Sequence, residues 1–143
     1  MSKAFRGRIQ TMNEMYKLPV HDTPHLFKDT DDRLRKFKKT LSDEVDEIDE
    51  IVSLIQTGES ETEAQVAIAD LLGDIIVYCR SEAIKYGIPL EEVLDIIMDS
   101  NESKLGADGK PIYDENGKFL KGPNYWKPEP RIRELLSGYT SEK

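Results

Sequence analysis

Four carboxylates stand at helical spacing among apolar residues, where simple core packing would place Leu or Ala. Glu44 and Glu47 are three residues apart in one predicted helix, and Asp70 and Asp74 are one turn apart in the next. Residues three or four apart on a helix share a face, so each pair directs two carboxylates towards one place. Two such pairs facing each other would form a pocket with four carboxylates.

The charge of such a pocket limits the chemistry that it could perform. Burying unpaired carboxylates costs several kcal/mol each, so the groups must either take up protons or bind cations. A ligand set of oxygen atoms alone favours Mg²⁺, with Mn²⁺ as the alternative. Bound ions could neutralise a polyphosphate, orient it and lower the pKa of a water molecule for attack on phosphorus.

Other metal sites fit the sequence less well. Di-iron helical bundles use Glu-x-x-His motifs, whereas His21 and His25 lie in a connection that Pro24 makes irregular. The same proline disfavours a helical zinc site with His-x-x-x-His spacing. The segments that begin at Asp108 and Asp114 lack the ligand pattern of a calcium loop, and turn formation explains them better.

The hydrophobic pattern indicates the helices that would position the carboxylates. Apolar residues three or four apart predict helices over about residues 4–17, 30–56, 61–86 and 89–104. Thr30 or Asp31 is a candidate cap for the second helix, while Gly58 and Gly87 are predicted stops. We interpret one apolar ladder as the core face of the second helix, with the glutamates on its flank. Its members are Leu41, Val45, Ile48, Val52 and Ile55.

The composition changes after Leu105 to a stretch rich in Gly, Asp and Lys. Asn116-Gly117 predicts a hairpin between residues 112–113 and 119–120, and a short helix should follow over about 130–136. These elements predict an all-α bundle of long antiparallel helices with a short C-terminal β-hairpin appendage. We expect one domain over residues 1–143, with a core at about 30–105 and a tail at 106–143.

The bulk composition favours an oligomer and opposes some partners. With 38% hydrophobic and 34% charged residues, any apolar face left exposed would favour association, so we expect a homodimer or homotetramer. A net charge of −8 opposes binding to nucleic acid polymers or anionic membranes. The only cysteine, Cys79, lies in an apolar stretch and suits core packing in a reducing compartment. Because no signal or membrane-spanning segment is evident either, we expect a cytoplasmic protein.

Two segments near the C-terminal tail are candidates for substrate binding. Asn101 and Lys104 end the fourth helix, and the loop from Lys121 holds Tyr125 and Trp126 beside lysines. Lysines can bind phosphates, and the aromatic rings could either stack on a base or pack against the bundle. The basic run at residues 33–39 is better explained by surface ion pairs with nearby acids, as between residues 39 and 43.

At these residues the chain resembles the all-α nucleoside triphosphate pyrophosphohydrolases, the MazG-like and phosphoribosyl-ATP pyrophosphohydrolase-like superfamily. Asp43-Glu44-x-x-Glu47 is similar to the first half of the family pattern, Glu-Glu-x-x-Glu. The second half, Glu-x-x-Asp, is represented by Asp70-Leu-Leu-Gly-Asp74, in which Leu71 occupies the usual Glu position. Segments 100–104 and 106–125 are similar to a subgroup that carries this tail.

The resemblance implies an enzyme that cleaves a nucleoside triphosphate between the α and β phosphates, with Mg²⁺ as the cofactor. The products would be a nucleoside monophosphate and pyrophosphate, and a deoxynucleotide such as dUTP, dCTP or dGTP would be the substrate in nucleotide-pool control. Glu44, Glu47, Asp70 and Asp74 would hold metal, and Asp43 or Glu47 would assist the attacking water. A non-catalytic metal- or partner-binding module and a phosphoribosyl-ATP pyrophosphohydrolase are the alternatives.

Overall fold

Helices dominate the structure, a computed structural model that describes residues 2–58 and 60–141. The helices are α1 (Lys3–Met15), α2 (Thr30–Gln56), α3 (Glu61–Lys85), α4 (Leu90–Glu102) and α5 (Glu129–Ser141). A two-stranded antiparallel hairpin, β1 (Ile112–Tyr113) and β2 (Phe119–Leu120), lies between α4 and α5 in the chain. This element order confirms the predicted all-α class with a short hairpin.

The chain divides into two compact units. The first spans Lys3–Gly87 and contains α1, α2 and α3, and the second contains the hairpin, α4 and α5. In the first unit α2 and α1 both pack on α3. In the second unit α4 packs on α5. The prediction of a single domain over the whole chain stays a prediction.

The turn between α2 and α3 makes the two helices antiparallel neighbours. Gly58 ends α2 with a φ of +79°, a left-handed conformation that glycine adopts readily. Ser60 then caps α3, because its hydroxyl oxygen accepts a hydrogen bond from the Glu63 N–H at 3.2 Å. The buried apolar residues of the two helices include Ile51, Ala64 and Leu71.

The prediction that the apolar ladder of α2 faces the core is wrong. Val45, Ile48, Val52 and Ile55 are 42% to 56% exposed, whereas Ile51 is only 8% exposed. The reason is that α2 packs mainly on α3, so one side of α2 is covered and the other is left open. The half-buried Glu44 therefore lies on the covered side of the helix, seven residues before Ile51.

Helix α2 begins where it was predicted to begin, but its cap differs from the prediction. The helix begins at Thr30, and the preceding Asp29 makes no side-chain cap hydrogen bond. Asp29 instead accepts a hydrogen bond from Arg33 Nε at 2.9 Å, while the Thr30 hydroxyl bonds to the backbone of Phe27. An ion pair and a local turn thus replace the predicted cap at Thr30 or Asp31.

The C-terminal elements follow the turn chemistry of the sequence. Asp114 Oδ1 accepts hydrogen bonds from the Asn116 and Lys118 N–H groups, and Gly117 has a φ of +80°. The strands pair with Ile112 opposite Leu120. Helix α5 is longer than predicted because apolar residues at helical spacing continue past residue 136 to Tyr139.

The proline-containing connection before α2 is held against the C-terminal end of α3. The His21 N–H donates to the Ile84 carbonyl at 3.0 Å, and the His25 N–H donates to the Tyr86 carbonyl at 2.9 Å. The two histidine rings stack at 4.0 Å between centroids. They are part of this local packing, as an irregular connection predicts.

Gly87→Ala should destabilise the protein much more than Gly58→Ala. Both glycines have positive φ, but a Cβ at residue 87 would overlap the Thr23 carbonyl, whereas one at residue 58 would meet open space. We expect losses in unfolding free energy of about 2–5 kcal/mol and about 1 kcal/mol, respectively. Urea denaturation would measure both values, and equal losses would contradict the packing of the connection against residue 87.

Candidate functional site

The four predicted carboxylates lie on the two helices that pack against each other in the first unit. Glu44 and Glu47 are on α2, and Asp70 and Asp74 are on α3. Glu44 and Asp74 are half-buried, while Glu47 and Asp70 are exposed. The site therefore has an inner pair of carboxylates, one from each helix, and an outer pair that faces solvent.

Glu44 experiences the charges of the other acidic groups. Burial is the largest cause that raises its pKa above the usual Glu range. Repulsion by Glu47, Asp74, Asp70 and Asp43 adds to that increase, in this order. Its Oε2 atom is buried and has no hydrogen-bond partner among the described residues. The fold thus brings negative charge from both helices close to one unpartnered carboxylate oxygen.

Tyr78 belongs to the same neighbourhood, although it was not among the predicted site residues. Burial is the largest cause that raises its pKa, and the charges of Glu44, Asp74 and Glu47 raise it further. The available signal was its position four residues after Asp74, which places both side chains on one face of α3. The phenolic hydroxyl adds a neutral hydrogen-bonding group beside the carboxylates.

The donor chemistry of this neighbourhood fits a hard cation. A metal ion would supply a partner for Glu44 Oε2 and would offset the repulsion among Glu44, Glu47, Asp70 and Asp74, and oxygen ligands suit Mg²⁺ and Mn²⁺. In the part of the chain that the structure describes, no group of three or more His, Cys, Asp or Glu side chains is arranged to hold a metal ion. The carboxylates are neighbours whose oxygen atoms do not surround a common point in this conformation.

Asp43 has a different environment from the other candidates. Lys39 Nζ donates to its carboxylate at 2.5 Å, which confirms the predicted pair at (i, i+4). Arg33 and Arg35 also form ion pairs with acidic residues in the first turns of α2 or just before it. For these members of the basic run, the prediction of surface ion pairs is confirmed. The role of Asp43 in catalysis stays a prediction.

The predicted substrate-binding residues all lie in the second unit. Asn101 is exposed at the end of α4, and Lys104 is half-buried just beyond it. Lys121 Nζ lies 4.9 Å from the Tyr125 ring centroid, and the Arg131 guanidinium lies 3.5 Å from that of Trp126. Both aromatic rings therefore have a cation of their own unit against them. Their part in substrate binding stays a prediction.

A cavity of about 470 Å³ in the first unit adjoins the acidic residues. Asp74 and Tyr78 line one part of it. The sequence interpretation did not identify this cavity, because its other lining residues come from three helices and the connection between α1 and α2. Those with polar or aromatic side chains include Tyr16, Arg33, Lys36, Phe37 and Tyr86.

Comparison with solved structures shows a shared fold. The chain is similar to a crystal structure from Exiguobacterium sp. 255-15, whose protein is named a candidate NTP pyrophosphohydrolase. The TM-score is 0.50 and the sequence identity is 20%, over 94% of this chain and 94% of that chain. This similarity confirms the predicted all-α architecture. Comparisons with protein-family models and with curated proteins give no match. Within the described residues, no helix has both the length and the apolar character needed to cross a membrane.

Glu44 should make the stability of the metal-free protein depend on pH. Its pKa is higher in the folded protein than the ordinary value of 4.5, so the folded state binds a proton more tightly than the unfolded chain does. The stabilisation from protonated Glu44 is fully present at pH values below the ordinary pKa. It is lost as the pH rises through the raised pKa of the folded protein. Glu44→Gln should therefore flatten the fall in unfolding free energy that accompanies a rise in pH above 4.5.

Urea denaturation at a series of pH values, with a chelator present, would measure this effect. Glu50→Gln is the matched control, because Glu50 is an exposed acid on the same helix. The control should keep the pH dependence of the unsubstituted protein. Identical curves for Glu44→Gln and the unsubstituted protein would contradict the raised pKa.

Proposed function

We propose that this protein is a Mg²⁺-dependent nucleoside triphosphate pyrophosphohydrolase of the all-α superfamily. It would convert a nucleoside triphosphate and water into a nucleoside monophosphate and pyrophosphate. The observation that carries the proposal is the unpartnered, buried Oε2 of Glu44, with acidic groups of α2 and α3 close enough to raise its pKa. The sequence motif and the fold shared with a candidate NTP pyrophosphohydrolase support the same reaction.

The acidic residues have distinct proposed roles. Glu44, Glu47 and Asp74 would hold Mg²⁺, and Asp70 would join them from one turn before Asp74. When bound, the metal would neutralise phosphate charge and make a water molecule more acidic. Mn²⁺ could take its place because it accepts the same oxygen ligands.

One carboxylate would take a proton from the attacking water. Asp43 and Glu47 are the candidates. The ion pair with Lys39 makes the Asp43 carboxylate less available to accept a proton. We therefore favour Glu47, which is exposed on the same helix. The water oxygen would form a bond to phosphorus as the bond to pyrophosphate breaks, and the proton would remain on the carboxylate.

The substrate contacts are proposed from the tail motif. Lys104 and Lys121 would hold phosphate, and Asn101 would orient sugar or phosphate, while Tyr125 and Trp126 stay the sequence-based candidates for a contact with the nucleotide. A deoxynucleoside triphosphate such as dUTP, dCTP or dGTP is the proposed substrate, with control of the cytoplasmic nucleotide pool as the role. The acidic net charge argues against a nucleic acid polymer as substrate.

We also propose that the protein forms a homodimer or homotetramer through the open sides of α2 and α3. Large apolar side chains at helical spacing are exposed on both helices, and a second copy that covered them would complete a helical bundle. The exposed residues on α2 include Val45, Ile48, Val52 and Ile55. Those on α3 include Ile68, Leu72 and Ile76.

Glu47→Gln should lower the rate of pyrophosphate release by about 100-fold or more, because the amide can neither accept a proton nor bring the same charge to the metal. The assay would use a panel of ribo- and deoxynucleoside triphosphates with Mg²⁺ and would separate monophosphate from diphosphate products. Glu50→Gln is the control and should retain the full rate, and circular dichroism should show that both variants are folded.

The same panel separates the alternatives. Diphosphate as the product would contradict cleavage between the α and β phosphates. Activity on phosphoribosyl-ATP alone would indicate the histidine-biosynthesis reaction, and no product from any nucleotide would favour a non-catalytic module. Undiminished pyrophosphate release by Glu47→Gln would remove Glu47 from the catalytic site.

Leu72→Glu should weaken self-association, because it places a charge on an apolar surface that a second copy would bury. Leu72 is 55% exposed in the single chain. We expect the dissociation constant from sedimentation velocity to rise by at least about 30-fold. Gln65→Glu, which adds the same charge at an exposed polar position of α3, should leave it nearly unchanged. A monomeric unsubstituted protein would overturn the proposed oligomer.

A further inference from the structure

The cavity beside Asp74 has the size and lining of a small-molecule pocket. Its volume of about 470 Å³ lies within the range of about 300–1,000 Å³ that is typical of such pockets. Met12, Leu18, Phe37 and Val77 supply apolar surface for a flat ring. All of the lining residues belong to the unit Lys3–Gly87, so the cavity is formed within one compact part of the fold.

The cavity extends from the acidic residues towards the end of α3. Asp74 and Tyr78 line it near the carboxylates, and Tyr86 lines it at the residue that follows the helix. Residues 74 and 86 are about 18 Å apart along the helix axis, at about 1.5 Å per residue. A nucleotide with its phosphates at the acidic residues would therefore extend its base in the direction of Tyr86.

The hydroxyl of Tyr86 is a buried polar group that the fold leaves unused. Tyr86 is 6% exposed, and its hydroxyl has no hydrogen-bond partner among the described residues. The ring is held in place by the edge contact with Phe27, with 5.5 Å between centroids. An unpartnered buried hydroxyl costs about 1–3 kcal/mol, which a ligand that bonds to it would recover.

Several other polar groups in the wall of the cavity are already engaged. The Ser81 hydroxyl donates to Asn13 Oδ1 at 2.6 Å, and Asn13 Nδ2 donates to the Ser81 carbonyl at 3.2 Å. Lys85 Nζ lies 2.9 Å from Glu82 Oε1. These pairs fix the wall, whereas Tyr86 has donor and acceptor capacity to spare.

We propose that the cavity receives the nucleoside of the substrate and that Tyr86 determines base specificity through a hydrogen bond from its hydroxyl to the polar edge of the base. This inference rests on the proposed function for the identity of the ligand. The base edges differ in their pattern of donors and acceptors, so one fixed hydroxyl in a buried wall favours some bases over others. Arg33 and Glu82, which also line the cavity, add charge near that edge.

Tyr86→Phe tests the assignment without removing the ring that packs on Phe27. For the base that the unsubstituted protein prefers, kcat/KM should fall by about 10- to 100-fold, and for the other bases it should stay nearly constant. The control is Tyr113→Phe, because Tyr113 is 61% exposed in β1 and does not line the cavity. A uniform fall for all bases would overturn the role in specificity and leave only a structural one.

Calorimetric titration with dCMP, dUMP, dAMP and dGMP in the absence of metal supplies a readout that does not depend on turnover. Tighter binding of one base, lost in Tyr86→Phe, would support the inference even if no triphosphate is cleaved. Cleavage with unchanged base preference in Tyr86→Phe would overturn the inference and leave the proposed function intact. The absence of both nucleotide binding and cleavage would overturn the two together.

Discussion

Repulsion between like charges on two packed helices is the constraint on which the site depends. Because α2 packs on α3, the half-buried Glu44 is held close to Asp74, and the exposed Glu47 and Asp70 add further negative charge. Such an arrangement weakens the fold unless protons or cations reduce the repulsion. Apolar contacts therefore hold the helices together. Buried residues such as Ile51 and Leu71 contribute stability that offsets the repulsion within the acidic cluster.

The sequence alone was sufficient to predict the helices, their turns and the acidic residues that lie close together. Glycine at positions 58, 87 and 117 indicated the turns correctly, because these positions need positive φ, which few other residues adopt. The spacing of the carboxylates within each pair depends only on helical geometry, so it could be predicted as well. These features are local, and short stretches of sequence contain the information that specifies them.

The core face of α2 and the cavity could not be predicted, because they depend on contacts between distant segments. Val45 and Ile51 are both apolar, and the position of α3 decides which one is buried. The surroundings of Tyr86 likewise depend on distant segments, because Phe27 packs against its ring at the end of α3. The Lys39–Asp43 pair was predictable, by contrast, since both residues lie on one helix.

The connection between α1 and α2 has a consequence for how this protein can vary. It forms hydrogen bonds with the backbone of residues 84 and 86, and its Thr23 lies against Gly87. The position of the cavity wall at the end of α3 thus depends on the connection, although the connection contributes few of the lining residues. Changes in the length or sequence of that connection could alter the depth of the cavity while every residue that lines it stays the same, so two chains with identical linings could still differ in the ligand that they accommodate.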